Sequence, residues 1–417
     1  MFGWEFPPFY AGGLGVACYG LTKGLSNKKI DVTFVVPQGP DSQKAEYVNL
    51  VIASNLAKYH INNLKIKKIN SLLTPYMTEQ QYTETYQKQF NKETLQNSSS
   101  SGKLYGRNIY EEVFRYASAA KFIAQSENFD IIHCHDWMTF PAGIEAKNIS
   151  GKPLVIHVHA TEFDRTGGNG INQYIYDIEK KGMQIADRII AVSNFTKQKI
   201  IERYGISAGK IEVVHNAVDF EGKNKFDIKN NEKVVLFLGR LTLQKGPDYF
   251  IEAAKKVLDY DPDVKFIIAG SGDMESKLID RVAQLGIGHK VLFAGFVTGS
   301  DVDKAFQSAD LFVMPSVSEP FGLTPLEALR NNVPVIISKQ SGVSEVLKNA
   351  LKVDFWDVDE LASKIISVLN YRALHHELRA HGALEVRTFN WNIPAEKCIH
   401  IYNDLIASRH LAQRAAT

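Results

Sequence analysis

Pro315-Ser-Val-Ser-Glu-Pro-Phe-Gly-Leu-Thr-Pro-Leu-Glu327 is the stretch of this sequence that says most about its architecture. The apolar run Leu311-Phe-Val-Met-Pro315 leads into it and predicts a buried strand of a parallel sheet. Thr324 and Pro325 then predict a helix start, with Thr324 as the N-cap, proline in the first turn and Glu327 as a capping-box partner. The stretch therefore predicts a strand, a loop and a helix of an α/β fold.

The same stretch contains groups that suit a phosphate and a sugar. A helix that follows a strand through Gly322 offers an anion site, because free backbone N–H groups and the helix dipole point at the ligand. Glu319 and Glu327 flank this site, and carboxylates accept several hydrogen bonds from hydroxyl groups. The residues favour phosphate on the backbone and sugar hydroxyls on the acids. The simpler alternatives are a capping role for Glu327 and an exposed loop position for Glu319.

The spacing Glu-x7-Glu with Phe-Gly-Leu inside it resembles the donor site of retaining GT-B glycosyltransferases, the group of glycogen and starch synthases and of glycosyltransferase family 4. The resemblance implies an α/β fold with two doubly wound, Rossmann-like domains that face a central cleft. It also implies that Glu319 acts on the transferred sugar and that Glu327 binds the ribose. The donor diphosphate is then expected on Gly322, Leu323 and Thr324.

Composition restricts the class of protein. At 417 residues the chain is long enough for two or three domains. A net charge of +2 argues against nucleic acid as a partner and against a membrane surface. Three scattered cysteines, Cys18, Cys134 and Cys398, form no disulfide framework and fit a reduced, cytoplasmic setting. Neither a signal segment nor a membrane-spanning run is expected.

The resemblance covers nearly the whole chain and implies its division. We expect an N-terminal acceptor-side domain over 1–216, with a polar insertion at about 78–103 that is too poor in apolar residues to order itself. The polar run Glu221 to Lys233 supports a boundary to a donor domain over 217–394. A last helix over 395–417, after Phe389-Asn-Trp391, is expected to cross back to the first domain, as in family members.

The N-terminus contains a glycine-rich loop, Gly12-Gly-Leu-Gly15, ahead of an expected helix over Val16 to Ser26. Such a loop lets backbone approach a phosphate, and the resemblance places Gly13 near the donor diphosphate. A plain tight turn is the alternative. Bacterial glycogen synthases have a lysine before the paired glycines, whereas this chain has Tyr10-Ala11, which favours family 4. The strand ahead of the loop is short for the central strand of such a sheet, which leaves open a natural start upstream of Met1.

Two polar residues follow neighbouring strands in the first domain. Asp136 ends the strand Phe129 to Asp136, and His159 ends the strand Leu154 to His159. Open α/β sheets bind ligands at such carboxyl ends, and the resemblance implies catalytic roles for both residues. Histidines alternate along these strands and could suggest a metal site. We instead expect packed histidines, because central parallel strands are buried on both faces and no zinc-type spacing accompanies them.

The second domain adds two basic residues on one strand-to-helix loop. Arg240 and Lys245 follow the buried strand Val234 to Arg240, and Gly-Arg-Leu-x3-Lys-Gly resembles the diphosphate clamp of the family. Their positive charges would stabilise the leaving diphosphate. Solvated surface charge is the alternative interpretation. Phe296 and Val297, after a later strand, are expected near the donor base.

Metal dependence is not expected. The three Asp-x-Asp pairs, which begin at Asp261, Asp301 and Asp357, fall in a turn and at two helix starts, where acids cap and suit the dipole. None follows a strand as a metal–diphosphate bridge would require. We therefore predict no cofactor and no essential metal.

The resemblance implies transfer of a sugar, glucose by likeness to glycogen synthases, from a nucleoside-diphosphate donor to an acceptor hydroxyl with retention. Gly-Trp-Glu-Phe-Pro-Pro near the start and Thr161-Glu-Phe-Asp-Arg165 favour an α-1,4-glucan acceptor. Transfer to another glycan or to a lipid-linked acceptor is the main alternative. A sugar-nucleotide epimerase and a non-catalytic sugar-nucleotide-binding protein are the others.

Overall fold

The computed structural model describes residues 1–6, 12–38, 48–52, 64–70, 107–168, 170–220, 226 and 232–415. The expected polar insertion at 78–103 and the Tyr10-Ala11 pair lie outside these residues.

The first half of the chain builds one sheet from two groups of strands. Its strands are β1 Val32–Gln38, β2 Val48–Ile52, β3 Leu64–Asn70, β4 Ile132–His135, β5 Leu154–Val158, β6 Arg188–Ala191 and β7 Ile211–Val213. The hydrogen-bonded orders are β1-β3-β2 and β4-β5-β6-β7, and only β2 runs antiparallel to its neighbour. Phe2 pairs in parallel with both Val35 and Cys134, so the N-terminal segment connects the two groups.

Helices cover both faces of this sheet. They are α1 Gly13–Asn27, α2 Arg107–Ser126, α3 Phe140–Ser150, α4 Glu162–Arg165, α5 Gln173–Ile185 and α6 Asn194–Tyr204, with short 3-10 turns at Trp137–Thr139 and Ala208–Lys210. The helix expected over Val16 to Ser26 begins earlier, so Gly13 and Gly15 belong to its first turn and not to a preceding loop.

The second half is a six-stranded parallel sheet in the order β10-β9-β8-β11-β12-β13. Its strands are β8 Lys233–Leu238, β9 Val264–Ala269, β10 Val291–Gly295, β11 Leu311–Met314, β12 Val335–Ser338 and β13 Leu351–Val353. The order reverses between β8 and β11, and open α/β sheets bind ligands at such switch points. The predicted strand at Leu311 is confirmed, and all four of its residues are buried.

Helices also flank the second sheet. They are α7 Pro247–Tyr260, α8 Glu275–Gln284, α9 Ser300–Gln307, α10 Thr324–Arg330, α11 Val358–Asn370 and α12 Arg372–Glu385, followed by α13 Asn392–Ala415, with 3-10 turns at Leu243–Lys245, Gly342–Glu345 and Val386–Thr388. These helices and the parallel strands confirm the α/β class expected from the sequence.

The last helix returns to the first half of the chain. Trp391, just before α13, lies so close to α1 that a Cβ on Gly20 would be 2.0 Å from its ring. Further along α13, the hydroxyl of Tyr402 lies 2.5 Å from Nδ1 of His133 on β4. Lys28 and Glu396 form an ion pair nearer the surface. Helix α13 thus packs against the first sheet and its first helix.

Candidate active site

The loop between β11 and α10 has a different helix start from the one expected. Thr324 is the first residue of α10, and the preceding Leu323 already has helical dihedrals without a side-chain cap. The Thr324 hydroxyl instead lies 3.8 Å from the sulfur of Met314. The predicted capping box with Glu327 is therefore wrong, because Gly322, at φ +103°, makes the turn one residue earlier. Glu327 is free of a capping role in this structure.

Lys245 and Glu319 meet at the end of the second sheet. The ammonium nitrogen of Lys245 lies 2.5 Å from a carboxylate oxygen of Glu319, and Ser316 donates to the same oxygen at 3.3 Å. Glu319 is buried and only 6% exposed. The sequence assigned these two residues to the diphosphate and to the sugar, and the structure brings them into direct contact.

Two loops are held together around this pair. A Cβ on Gly246 would lie 2.2 Å from the carbonyl oxygen of Pro315, so only glycine allows the loops to approach this closely. Gln244 donates from its side chain to the carbonyl of Ser318 at 3.1 Å and accepts from Arg240 at 3.2 Å. Arg240 is therefore connected, through a glutamine that the sequence did not single out, to the loop that carries Glu319.

Glu327 lies half-buried on the first turn of α10. Burial raises the pKa of its carboxyl, Arg330 opposes this shift, and the nearby Asp303 adds to it. Arg330 itself donates to Asp303 at 2.6 Å. Hydrogen bonds from the hydroxyls of a ligand would stabilise the ionised form of this carboxyl.

Asp136 lies directly after β4 in a backbone conformation that favours glycine, with φ +60°. One of its carboxylate oxygens accepts from the backbone N–H of His159 at 2.7 Å and of Ala160 at 3.2 Å. Burial raises its pKa to about 6, although Arg165 and the two N–H groups oppose this shift. Strained polar residues of this kind cluster at functional sites, and the bonds fix Asp136 beside His159.

His159 follows β5 and is half-buried. Its Nε2 lies 3.0 Å from Nδ1 of His135 on the neighbouring strand. Burial lowers the pKa of His159 to about 3, so its ring is neutral at physiological pH. The two residues that the resemblance named in the first half, Asp136 and His159, are thus adjacent at one edge of the sheet.

Hydrogen bonds between the first and second halves of the chain bring the Asp136–His159 pair and the Lys245–Glu319 pair toward each other. Ser318, next to Glu319, donates to Asp164 on α4 at 2.6 Å and accepts from Lys199 on α6 at 2.8 Å. Burial alone would raise the pKa of Asp164, but Lys199 and the hydrogen bonds from Ser318 and Thr161 hold it below its usual value. Sequence reasoning missed this contact. The Asp in Thr161-Glu-Phe-Asp-Arg165 was its only signal.

The remaining predicted site residues lie at separate positions. Gly13 is the first residue of α1, and a Cβ built on it would meet no atom of the described residues within 4 Å. Its neighbour Gly12 donates to the buried carboxylate of Glu5 at 2.9 Å. Phe296 follows β10 and is 69% exposed, whereas Val297 packs against the core of the second half. Among the predicted site residues, Phe296 is therefore exposed to solvent, where a ligand could contact it.

The Asp-x-Asp pairs lie where the sequence predicted. Asp261 begins a turn and pairs with Lys233 at 2.8 Å. Asp357 caps α11 by accepting from Glu360 at 2.9 Å. Asp303, in the first turn of α9, is engaged with Arg330. Each pair therefore has a local structural role.

No helix within the described ranges has both the length and the apolar character that crossing a membrane requires.

Comparisons with known families identify both halves. The family described as Glycosyl transferases group 1 matches residues 219–384, and Glycosyltransferase Family 4 matches residues 84–221. An uncharacterized glycosyltransferase of Methanocaldococcus jannaschii is 30% identical over 418 residues, which is 96% of each chain. These matches span the two sheets and the residues described above.

More distant relatives have named activities. An Escherichia coli galactosyltransferase that uses UDP-Gal and α-D-GlcNAc-diphosphoundecaprenol is 27% identical over 69% of this chain and 78% of its own length. A glycogen synthase of Mycobacterium tuberculosis is 27% identical over 66% of this chain and 68% of its own.

Solved structures share the fold. Sucrose-phosphate synthase of Thermosynechococcus elongatus superposes with a TM-score of 0.75 at 18% identity and covers 98% of both chains. HepE of Anabaena, solved with UDP and glucose, gives a TM-score of 0.69 at 17% identity over 97% of this chain and 98% of its own. The architecture is therefore GT-B. Together with the match over 96% of the chain, this establishes that the protein is a glycosyltransferase and belongs to the group 1 and family 4 glycosyl transferases.

Proposed function

We propose that this enzyme moves glucose from a nucleoside-diphosphate donor to the growing end of an α-1,4-glucan, with the anomeric configuration retained. The observation that supports this most is the contact between Lys245 and Glu319, which combines a cation for a diphosphate with an acceptor for sugar hydroxyls in one site. The glycogen synthase relative supports the glucan as acceptor.

In the proposed reaction the bond between the anomeric carbon and the phosphate oxygen breaks, and a bond to the acceptor oxygen forms on the same face. The proton of the acceptor hydroxyl moves to the departing phosphate oxygen. Arg240 and Lys245 stabilise the negative charge that develops on the diphosphate. Gly13, Gly322, Leu323 and Thr324 offer it backbone N–H groups.

The remaining residues position the sugar and the acceptor. Neutral His159 and the adjacent Asp136 hydrogen-bond hydroxyls near the reacting carbon, and Glu319 holds those of the transferred sugar. Glu327 binds the ribose, while Phe296 and Val297 contact the base. No cofactor and no essential metal take part. The three cysteines are free thiols, which supports a reduced, cytoplasmic setting.

A lipid-linked acceptor is the second candidate. The galactosyltransferase relative uses a sugar on diphosphoundecaprenol and matches more of this chain than the glycogen synthase does. The active-site residues named above serve either acceptor, because they contact the donor and one hydroxyl.

The test is a panel of nucleoside-diphosphate sugars with UDP, ADP and GDP as the leaving group. Each is incubated with glycogen, with a polyprenyl-diphosphate-linked sugar or with no acceptor, and free diphosphate and product are measured. We expect glucan growth from one glucose donor only when glycogen is present. Growth of the lipid-linked sugar alone supports the second candidate, and conversion of the donor without acceptor would contradict both.

A further inference from the structure

Alternate positions on β4 and β5 form a stack of imidazole rings on one face of the first sheet. We call these four residues the histidine cluster: His133, His135, His157 and His159. The rings of the first two are stacked at 4.5 Å between centroids, and those of the last two at 4.3 Å. Helix α1 covers this face and brings the buried thiol of Cys18 to the cluster.

Three of these side chains have the spacing of metal ligands. One ligand atom each from Cys18, His135 and His159 lies within 4.8 Å of the other two. Tetrahedral zinc, with bonds of about 2.0–2.3 Å, brings its ligand atoms to about 3.3–3.7 Å from each other. The three ligand atoms would have to move closer to one another by little more than 1 Å. A small change in side-chain rotamers at the carboxyl ends of β4 and β5 is roughly enough for this.

The cluster also contains a buried ring nitrogen without a hydrogen-bond partner in the described part of the chain. His135 is fully buried, and its Nε2 finds no hydrogen-bond partner within the described part of the chain. A buried polar group without a partner costs about 1–3 kcal/mol, so such an atom in a core calls for an explanation. Its Nδ1 is already paired with His159. The ring therefore has unused capacity to bind a ligand.

The surroundings favour a positive charge. Glu5 and Asp136 are both buried, and both of their carboxylates act electrostatically on the Cys18 thiol. Carboxylates close enough to oppose a thiolate attract a cation to the same place. Both act on Cys18 from different elements, the N-terminal segment and the end of β4.

A second triad in the same stack is a poorer candidate. His133, His135 and His157 are also close enough, and Nε2 of His157, like that of His135, has no hydrogen-bond partner in the described part of the chain. All three rings are buried, however, and both nitrogens of His133 are already engaged with Tyr402 and His157. His159 is half-buried and gives the first triad an opening. Cys18 adds a sulfur, the ligand that Zn²⁺ and related ions prefer.

We propose that Cys18, His135 and His159 bind one thiophilic divalent cation of the Zn²⁺ class, and that this ion inhibits transfer. Binding releases the thiol proton of Cys18 to solvent and leaves the metal's oxidation state unchanged. It also replaces the hydrogen bond between Nδ1 of His135 and Nε2 of His159, so that each neutral ring gives its one nitrogen lone pair to the metal. The fourth position is open to water. Inhibition rests on the role proposed for His159, whose ring nitrogen is then on the metal and cannot hydrogen-bond the substrate.

The test of the site uses Co²⁺ alone, added to the full-length metal-free chain without substrate. A thiolate ligand gives cobalt a charge-transfer band in the near ultraviolet, which reports the Cys18 bond directly. The variants are Cys18→Ser, His159→Gln and the control Cys398→Ser, which changes a buried thiol on α13 outside the triad. Loss of an outer-shell partner typically weakens metal binding about 10–100-fold, so loss of a direct ligand is expected to cost at least about 100-fold.

We expect one cobalt per chain with this band in the unaltered protein and in Cys398→Ser, no band in Cys18→Ser, and weakened binding in His159→Gln. A missing band in the unaltered chain, or a band that persists in Cys18→Ser, would overturn the site. Transfer is then measured with stoichiometric Zn²⁺, and we expect inhibition that EDTA reverses. Full activity with the ion bound would overturn its inhibitory role and, separately, the role of His159, while the site itself would stand.

Discussion

The ammonium of Lys245 lies 2.5 Å from a carboxylate oxygen of Glu319, and the two side chains are only 22% and 8% exposed. They come from different loops of the second sheet, one after β8 and one after β11. Without a bound nucleotide-sugar donor, the charges of Lys245 and Glu319 neutralise each other. An incoming diphosphate therefore competes with Glu319 for the Lys245 ammonium group. This contact relates the two predicted functions of the site, diphosphate binding and sugar binding.

The first prediction concerns the two basic residues. We expect Arg240→Ala and Lys245→Ala each to lower turnover about 10²–10³-fold, because removing one preorganised stabilising group costs about 2.7–4 kcal/mol in the transition state. Lys245→Ala should also lower stability, since it leaves the Glu319 carboxylate buried without its partner. Steady-state rates and thermal melts measure both effects.

The matched control is Lys255→Ala on α7. Lys255 pairs with Asp259 on the surface, four residues along the same helix, and such pairs contribute little to stability. This variant should keep both turnover and melting temperature. Near-normal turnover in Arg240→Ala and Lys245→Ala would contradict the proposed diphosphate clamp.

The second prediction concerns stability in acid. Burial lowers the pKa of His159 to about 3 and lowers the pKa values of the other three clustered histidines well below their usual value. In the unfolded chain a histidine takes up a proton near pH 6.5. Below that pH the unfolded state binds more protons, so the free energy of unfolding falls by up to about 1.4 kcal/mol per pH unit for each such ring.

Asp136 acts in the opposite direction. Its raised pKa of about 6 makes the folded state the better proton acceptor between about pH 4 and 6. Asp136 therefore offsets the loss of unfolding free energy caused by about one of the buried histidine rings. Urea unfolding with EDTA from pH 7 to 4.5 should show a net loss of stability that becomes shallower in His135→Asn. His400→Asn, which changes a side chain that is 78% exposed and outside the cluster, is the surface control. Stability independent of pH over this range would refute the buried neutral cluster.

Strand positions could be predicted because buried parallel strands are continuous apolar runs. Leu311–Met314 and Leu154–Val158 stand out in the sequence for this reason, and polar residues at their carboxyl ends predict the edge where a ligand binds. The same reasoning missed Leu351–Val353, a three-residue edge strand whose pattern is too short to recognise.

Local capping chemistry and contacts between the halves could not be predicted. Thr324 satisfies the capping pattern, but the left-handed turn at Gly322 moves the helix start by one residue and removes the cap. The contact of Lys199 with Ser318 joins residues 119 positions apart. Only the three-dimensional arrangement of the two sheets creates such a contact.

The third prediction concerns Glu345, which connects the halves. Its carboxylate accepts from the backbone N–H groups of Asn194 at 2.9 Å and Phe195 at 2.5 Å, at the start of α6. Burial would raise its pKa, but hydrogen bonds from His215 and from these backbone groups hold it below its usual value. We expect Glu345→Ala to cost about 0.5–2 kcal/mol, as loss of an N-cap does, and to speed hydrogen exchange at residues 194 and 195, whereas the N–H of Thr196 is held by the Ser193 hydroxyl.

Asp357→Ala is the control for Glu345→Ala. Asp357 caps α11 entirely within the second half by accepting from Glu360. Asp357→Ala should lower the free energy of unfolding by a similar amount and leave hydrogen exchange at the start of α6 unchanged. Equal hydrogen exchange at residues 194 and 195 in both variants would contradict a cap that bridges the halves.

The fourth prediction concerns metal. Each Asp-x-Asp pair has a local structural role, as Asp357 does in capping α11, and we expect transfer to survive excess EDTA. The expectation follows from the positive charges of Arg240 and Lys245, which can neutralise a diphosphate. Initial rates with and without chelator measure it. Complete loss with EDTA that manganese or magnesium restores would refute the prediction.

Calorimetric titration with UDP, ADP and GDP tests the central claim, the division of work between the two glutamates. Glu319→Ala frees Lys245 from its ion pair, so we expect it to bind the diphosphate at least as tightly as the unaltered chain while transfer is abolished. Glu327→Ala should weaken nucleotide binding, without a capping loss in thermal melts, because Glu327 caps no helix here. Weaker nucleotide binding in Glu319→Ala together with unchanged binding in Glu327→Ala would contradict the account.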